Sequence, residues 1–307
     1  MSSAIKTKIK SRNDLLKQIR DFFYQRNVLE VDTALLRKNT VTDPYMSALA
    51  AFDNKGNKQG YLQTSPEYAM KELLSSDSGD IFQLSKMFRV DEKSKIHSSE
   101  FTMLEWYRIG FDHIQLIEEV IEFIQQIVGI KETKIVSYRD IFISTLSIDP
   151  FDIPFESLKK QSEKLLGDLP ENLLFDNYLT LLFSEKVEPT FDKKLITVIK
   201  NYPANQASLA KTRSISGITT ADRFEVYLGG MELANGFNEL TDAMLQFKRF
   251  QHDNEIRKQL GSEKIEIDEG FIKALEKGLP DCAGVALGID RLLMIKLGKK
   301  DISEVII

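Results

Sequence analysis

Arg223-Phe-Glu-Val-Tyr-Leu-Gly-Gly-Met-Glu-Leu-Ala-Asn-Gly-Phe-Asn-Glu-Leu-Thr-Asp242 carries three glutamates, Glu225, Glu232 and Glu239, at a step of seven. Gly229-Gly230 predicts a two-residue hairpin turn, because both positions of a type I′ turn require φ > 0. Pairing about that turn sets Leu228 opposite Met231 and Tyr227 opposite Glu232. Side chains alternate faces along a strand. Phe224, Val226, Leu228, Met231 and Leu233 are therefore expected on one face, and Arg223, Glu225, Tyr227 and Glu232 on the other. Glu225 and Glu232 become diagonal cross-strand neighbours, roughly 7–8 Å apart at Cα. Two carboxylates so placed can share a hard divalent cation and, through it, nucleotide phosphates. The same pattern also fits a hairpin with a solvated, charged face.

The elements around this hairpin give the fold class. Leu15, Leu16, Ile19, Phe22 and Phe23 fall at helical spacing within residues 11–27, with Ser11 or Asn13 as caps. A strand over Val28–Val31 follows, then two strands about a turn at Asp53–Asn57. Pro66 opens a helix running to Leu74, since proline is favoured in a first turn. Ile81–Arg89 and Phe101–Tyr107 read as strands joined by a polar loop, and residues 112–128 as an amphipathic helix. Residues 131–190 are expected to be an insertion of short helices. Leu195–Lys200 is a strand, a helix runs from about Met244 to Gln259, and Gly284–Gly288 is a small buried strand leading into a helix at Leu292–Leu297. Strands that come in adjacent pairs before helices arrive predict an α+β fold with a mainly antiparallel sheet flanked by helices.

Bulk properties remove several function classes. The chain has 307 residues, 42% hydrophobic and 28% charged, an ordinary globular balance. No apolar run is long enough to span a bilayer, and the basic N-terminus lacks the apolar stretch of a signal peptide. The single cysteine, Cys282, excludes an internal disulfide framework and suits a reducing cytoplasm; its small-residue context favours a packed thiol over a nucleophile. Three histidines, His97, His113 and His252, make a multi-histidine zinc site improbable. The net charge of −5 argues against broad nucleic-acid binding.

Three further segments carry chemistry. Arg89 ends one strand, and His97, Glu100, Glu105 and Tyr107 lie in or after the loop that follows. A strand-borne arginine presents a rigid fork of donors to a phosphate, which suits charge developing at phosphorus. In Gly284-Val-Ala-Leu-Gly-Ile-Asp-Arg-Leu292, glycines let a ligand approach the backbone, and Arg291 sits at a helix start that disfavours a cation unless an anion is near. A glycine-containing core strand fits this segment equally. Thr64-Ser65-Pro66-Glu67 is a helix start with an acidic residue, and plain capping accounts for it when taken alone.

These four segments, in this order, resemble the class II aminoacyl-tRNA synthetases, and within them the lysyl branch. The segment from Phe88-Arg89 to Glu100-Phe-Thr-Met-Leu-Glu105 is similar to motif 2, and Gly284 to Arg291 to motif 3. The resemblance covers about Leu15 to Ile307. Glu105-Trp-Tyr107, Tyr202-Pro-Ala-Asn-Gln-Ala-Ser-Leu-Ala210 and Pro280–Gly288 are most similar to the lysyl-tRNA-synthetase-like ligases that modify translation elongation factor P.

The resemblance implies one class II catalytic domain over residues 1–307, with the insertion at 131–190, ATP and Mg2+ as cofactors, and a homodimer. It implies that Arg89 contacts the α-phosphate and the substrate carboxylate, that Arg291 holds the outer phosphates, and that Phe101 stacks on adenine. Val90, Asp91, His97, Ser98, Glu232, Leu233 and Gly288 complete the implied ATP site. Glu225 and Glu232 are the implied magnesium ligands. Glu239 and Tyr107 are the implied pair for a distal ammonium, and Glu67, beside Ser65 and Pro66, faces the other amino group. A carboxylate is the natural partner for an ammonium that is costly to bury alone.

Three departures from the family pattern stand out. The proline that closes motif 1 is replaced within Glu30-Val-Asp-Thr-Ala34, Val90-Asp91-Glu92 stands where Asn-Glu is usual, and His97-Ser-Ser-Glu100 stands for His-Asn-Pro-Glu. The helix resembling motif 1 begins near Leu15, which leaves no room for an anticodon-binding domain, so tRNA is not expected as a partner. The resemblance points instead to elongation factor P as acceptor and to (R)-β-lysine, supplied by a lysine aminomutase, as the amino acid. Ala286 replaces a glycine typical of lysyl-tRNA synthetases, and its methyl would narrow the pocket beside the amino-bearing carbons.

Overall fold

The hairpin at Gly229-Gly230 forms as its residues require: both glycines have positive φ, +66° and +80°. Around it, the computed structural model describes residues 2–90 and 94–307, with side chains from Ile5 onward. Helix α1 (Ser2–Tyr24) leads to β1 (Leu29–Glu30), β2 (Leu36–Arg37), β3 (Leu49–Phe52), β4 (Lys58–Leu62), α2 (Glu67–Leu74), β5 (Ile81–Phe88), β6 (Glu100–Ile109) and α3 (His113–Val128). The chain continues through β7 (Thr133–Ser137), α4 (Tyr138–Leu146), α5 (Phe155–Leu166), α6 (Phe175–Leu182), β8 (Ile196–Pro203), β9 (Thr212–Ile215), β10 (Ile218–Leu228) and β11 (Met231–Asn238). It closes with α7 (Ala243–Gln259), α8 (Glu269–Gly278), β12 (Cys282–Gly288) and α9 (Ile289–Leu297).

The main sheet has nine strands in the order β1-β5-β6-β12-β11-β10-β8-β7, with β9 added to β10. Only the outermost pairs, β1 with β5 and β7 with β8, are parallel; the rest is antiparallel, matching the mainly antiparallel sheet of the expected α+β fold. A separate three-stranded sheet, β2-β4-β3, contains the expected turn at Asp53–Asn57. One apolar cluster joins α1, α3 and α9 to one face of the main sheet through Phe22, Phe123, Trp106 and Leu293. The opposite face is flanked by two other clusters. Tyr138, Leu179 and Tyr202 join the insertion to β8, while Tyr68, Phe250 and Phe271 join α2, α7 and α8. The ground between those two clusters is left open for a site.

Two expectations change. Helix α1 starts at Ser2 rather than near Ser11, because no glycine or proline interrupts residues 2–24. The insertion is not purely helical: it begins with β7, which extends the sheet edge beside β8. Helix α3 carries a capping box between Asp112 and Gln115 and ends on Gly129 in the left-handed region. Cys282 is a buried, packed thiol, raised by burial above its ordinary range. No helix among the described residues is long and apolar enough to cross a membrane.

Candidate active site

A bulge in β11 decides which glutamates meet. Tyr227 pairs with Glu232 as the ideal hairpin predicts, but Val226 then pairs with Ala234 and Glu225 with Asn235. One residue is inserted on β11 between Glu232 and Ala234, a two-against-one arrangement. The step flips every later residue to the other face. In a regular hairpin Glu232 and Glu239, an odd number apart, would point to opposite sides. The bulge places Glu232, Asn235, Phe237 and Glu239 together with Arg223, Glu225 and Tyr227, and all seven line one cavity of about 800 Å³. The diagonal Glu225–Glu232 relation read from the sequence holds, but Asn235, not Ala234, stands opposite Glu225.

Glu225 is held by three donors. Arg223 Nη2 reaches its Oε1 at 2.6 Å, Tyr202 OH donates to Oε2 at 2.6 Å, and Tyr227 OH donates to the same oxygen. Glu232 receives no side-chain hydrogen bond among the described residues. Burial and the charge of Glu225 push its carboxyl up to about 7, while Arg291, Arg223 and Arg89 pull it back. Asn235 Oδ1 is buried without a hydrogen-bond partner among the described residues. Two carboxylates and a neutral oxygen thus converge with spare lone pairs, which is the donor set a hard cation takes.

The far end of the cavity is acidic. Glu105 and Tyr107 project from β6, with Tyr107 OH donating to Glu105 Oε1 at 2.7 Å. Burial, reinforced by Glu67, pushes Glu105 up to about 8, and its Oε2 has no partner among the described residues. Glu239 is 1% exposed and pairs with Lys71 at 2.5 Å. Lys71 also pairs with Glu67 at 2.6 Å. Burial pushes Glu239 up to about 7 against the pull of Lys71, whereas for Lys71 the two carboxylates outweigh burial and raise the ammonium. A 2.5 Å contact is that of an ion pair, so the ionised pair fits the geometry. Gly284 faces this cluster, and a Cβ there would lie 2.2 Å from Tyr107 Cε1 and 2.6 Å from Glu239 Oε1. Only glycine admits so close an approach.

A second cavity of about 390 Å³ is lined by His97, Ser98, Phe101, Leu233, Gly288 and Arg291. The two cavities share Arg89, Glu232, Asn235 and Ala286 in their walls. Arg291 Nη1 donates to the Glu232 carbonyl at 2.8 Å, and Arg89 Nε to the Thr64 carbonyl at 3.4 Å, with its guanidinium 5.2 Å from the Phe101 ring centroid.

Most residues singled out from the sequence therefore gather here. Ser65 and Glu67 line the larger cavity. Pro66 caps α2 and lines neither cavity, and no side chain of the Thr64–Ser65 segment caps that helix, so simple capping does not account for it. Val90 lines neither cavity and donates its N–H to Ser47. Asp91 lies outside the described residues. Tyr107 and Glu239, the implied pair for a distal ammonium, both line the larger cavity, where Tyr107 donates to Glu105 and Glu239 forms an ion pair with Lys71. Lys71, Asn235 and the role of Glu105 were not read from the sequence. Glu67 and Lys71 at i, i+4 on one helix was the available signal for the first; the second depended on the bulge.

The family model described as tRNA synthetases class II (D, K and N) matches residues 1–307. A protein of Pseudoalteromonas translucida named elongation factor P–(R)-β-lysine ligase is 46% identical over 99% of this chain and 95% of its own length. Proteins of the same name from Histophilus somni and Vibrio cholerae are 45% and 43% identical, over 96% and 99% of this chain and 93% and 96% of their own lengths.

Proposed function

We infer the reaction from one premise: the chain belongs to the class II (D, K and N) tRNA synthetase family, among the elongation factor P–(R)-β-lysine ligases. It is an ATP-dependent, AMP-forming ligase that attaches (R)-β-lysine to a lysine of elongation factor P. The observation that carries the local assignment is the wall shared by the two cavities, where Arg89, Glu232, Asn235 and Ala286 face both. An amino acid in the larger cavity and a nucleotide in the smaller would meet at that wall.

The carboxylate of the amino acid displaces pyrophosphate from the α-phosphorus, giving the aminoacyl adenylate. Arg89, at the junction, neutralises charge on the α-phosphate and the attacking carboxylate. Arg291 takes the outer phosphates, Phe101 stacks on the adenine, and His97, Ser98, Leu233 and Gly288 line the nucleotide. The acceptor ε-amine then attacks the acyl carbon; AMP leaves, an amide forms, and the amine loses its proton. No covalent bond to the protein is needed, so positioning and charge neutralisation supply the rate enhancement. Glu239, Tyr107 and Glu105 take the distal ammonium, and Glu67, with Ser65 beside it, takes the near one.

Glu225 and Glu232 would hold Mg2+, with Asn235 Oδ1 as a neutral oxygen donor. The ion would supply charge neutralisation at the phosphates. Before it binds, burial and mutual repulsion hold the Glu232 carboxyl near 7; Arg223 and two tyrosines fix the orientation of Glu225. The proposal extends to a cytoplasmic homodimer that does not act on tRNA and draws its substrate from a lysine aminomutase. Ile5, Ile9 and Leu29, exposed on α1 and β1, suit a subunit contact.

ATP–pyrophosphate exchange driven by (R)-β-lysine tests this reading. Glu232→Gln is expected to abolish exchange while the unfolding transition stays intact. Near-normal exchange by that variant would remove the metal assignment.

A further inference from the structure

Lys71 lies behind the wall of the larger cavity. Its side chain is 1% exposed, and it is not one of the residues that line the space. Its Nζ is 2.6 Å from Glu67 Oε1 and 2.5 Å from Glu239 Oε2. Glu67 starts α2, and Glu239 follows β11 on the far side of the sheet bulge. One ammonium therefore ties together two carboxylates from separate elements, taking one oxygen from each. The remaining oxygen of Glu239 faces Gly284, where a Cβ would approach it to 2.6 Å. Each carboxylate keeps an oxygen for a ligand, and the distance between those oxygens is set by a group the ligand does not touch.

Charge counting points the same way. Glu67, Glu105 and Glu239 set three carboxylates against the single ammonium of Lys71 once a cationic ligand draws the proton from buried Glu105. A ligand carrying two ammonium groups would balance the remainder, as burial of charge demands. A site that holds two ammonium groups at once measures the separation between them. The separation it accepts follows from how Glu67 and Glu239 are tethered.

We propose that Lys71 is a positioning residue that selects the diamino acid by its spacing between amino groups, holding Glu67 and Glu239 at a fixed separation from behind the cavity wall. This rests on the reading of the cavity as a diamino-acid site. Lys71 makes no bond to substrate and takes no proton in the reaction. Its effect is on which chain length and which amino position fit between two carboxylates it has already placed.

The test is ATP–pyrophosphate exchange with (R)-β-lysine, α-lysine, ornithine and homolysine, for the wild type, Lys71→Met and Lys71→Arg. The wild type is expected to prefer one member by the ~10–200-fold that a methylene is worth in a fitted pocket. In Lys71→Met that advantage should shrink roughly tenfold, flattening the ratios of kcat/KM across the panel. Lys71→Arg keeps the charge but replaces a point cation by a planar fork, so its preferred length should shift rather than vanish. A folded Lys71→Met with the wild-type ratios, at uniformly lower rates, overturns the role of Lys71 and leaves the diamino-acid site standing. A wild type that activates none of the four overturns both. If Lys71→Met does not fold, the arginine variant decides: unchanged ratios there overturn the proposal.

Discussion

Arg12, on the first helix, donates at 2.6 Å to Asp290, the residue that precedes Arg291. The other oxygen of Asp290 accepts the Thr102 N–H at 2.6 Å, and Arg12 Nη2 also donates to the Thr102 hydroxyl. Thr102 follows Phe101 in β6. One buried carboxylate, 2% exposed, thus anchors both the strand that presents Phe101 and the helix start that presents Arg291. Removing one partner of a buried pair costs about 3–5 kcal/mol, so Arg12→Met should lower the unfolding free energy by an amount of that order. It should also raise the KM for ATP more than the KM for the amino acid. Equal changes in the two KM values would contradict this positioning role.

Gly284→Ala is expected to fail at the amino-acid site. The added methyl would lie 2.2 Å from Tyr107 Cε1, so the ring or the strand must move. Overpacking of this kind costs ~1–3 kcal/mol, and the larger consequence is displacement of Tyr107 and Glu239. Amino-acid-dependent exchange should be lost while ATP still shifts the melting temperature. A variant with wild-type exchange would show that the glycine is dispensable.

Ala286 stands in the wall common to both cavities, paired with Glu105 on one side and Asn235 on the other. On the proposed reading its methyl would narrow the space beside the amino-bearing carbons of the substrate. (R)-β-lysine should be preferred over α-lysine, and Ala286→Gly should gain α-lysine activity, by the ~10–200-fold that a methyl is worth. The kcat/KM ratio of the two isomers in both proteins checks it. An unchanged ratio would reduce Ala286 to a packing residue.

The site should also give the unliganded protein a distinctive pH dependence. Burial raises Glu105 from 4.5 to about 8 and Glu232 from 4.5 to about 7, while Glu239 stays ionised in its pair with Lys71. The folded state therefore binds more protons than the unfolded state above the ordinary carboxyl range, and stability falls as pH rises through that window. His113 runs the other way: burial lowers it from 6.5, so it disfavours folding only at more acidic pH. Between pH 6.5 and 8 the carboxylates dominate among these groups, and the melting temperature should decline. Over the same range the KM for a diamino acid should fall, because its ammonium groups require ionised partners. Glu105→Gln should flatten the upper part of the stability slope; an unchanged slope would rule out Glu105 as its source.

Much of this site is legible in the sequence. The Gly229-Gly230 turn and the pairing of Tyr227 with Glu232 followed from turn chemistry and strand alternation, and the gathering of Arg89, Phe101 and Arg291 from the resemblance of four ordered segments to the class II synthetases. The bulge after Glu232 could not be read, because alternation alone has no term for an inserted residue. That single residue brings Asn235 and Glu239 to the site face. Lys71 was missed for a different reason: on a short helix, Glu67 and Lys71 look like an ordinary surface pair, and only the long-range approach of Glu239 makes the lysine a buried bridge. The strand β7 reflects tertiary support, its pairing with β8, that local patterns do not carry.

The measurement that bears most directly on the whole account is the acceptor experiment. The protein is incubated with ATP, Mg2+ and (R)-β-lysine, once with purified elongation factor P and once with lysine tRNA, and both acceptors are analysed by intact-mass and fragment mass spectrometry. The account predicts that elongation factor P gains the mass of one lysyl group on a single lysine side chain, with AMP and pyrophosphate released, and that the tRNA remains uncharged. Efficient, salt-sensitive charging of the tRNA with no change in elongation factor P would contradict it.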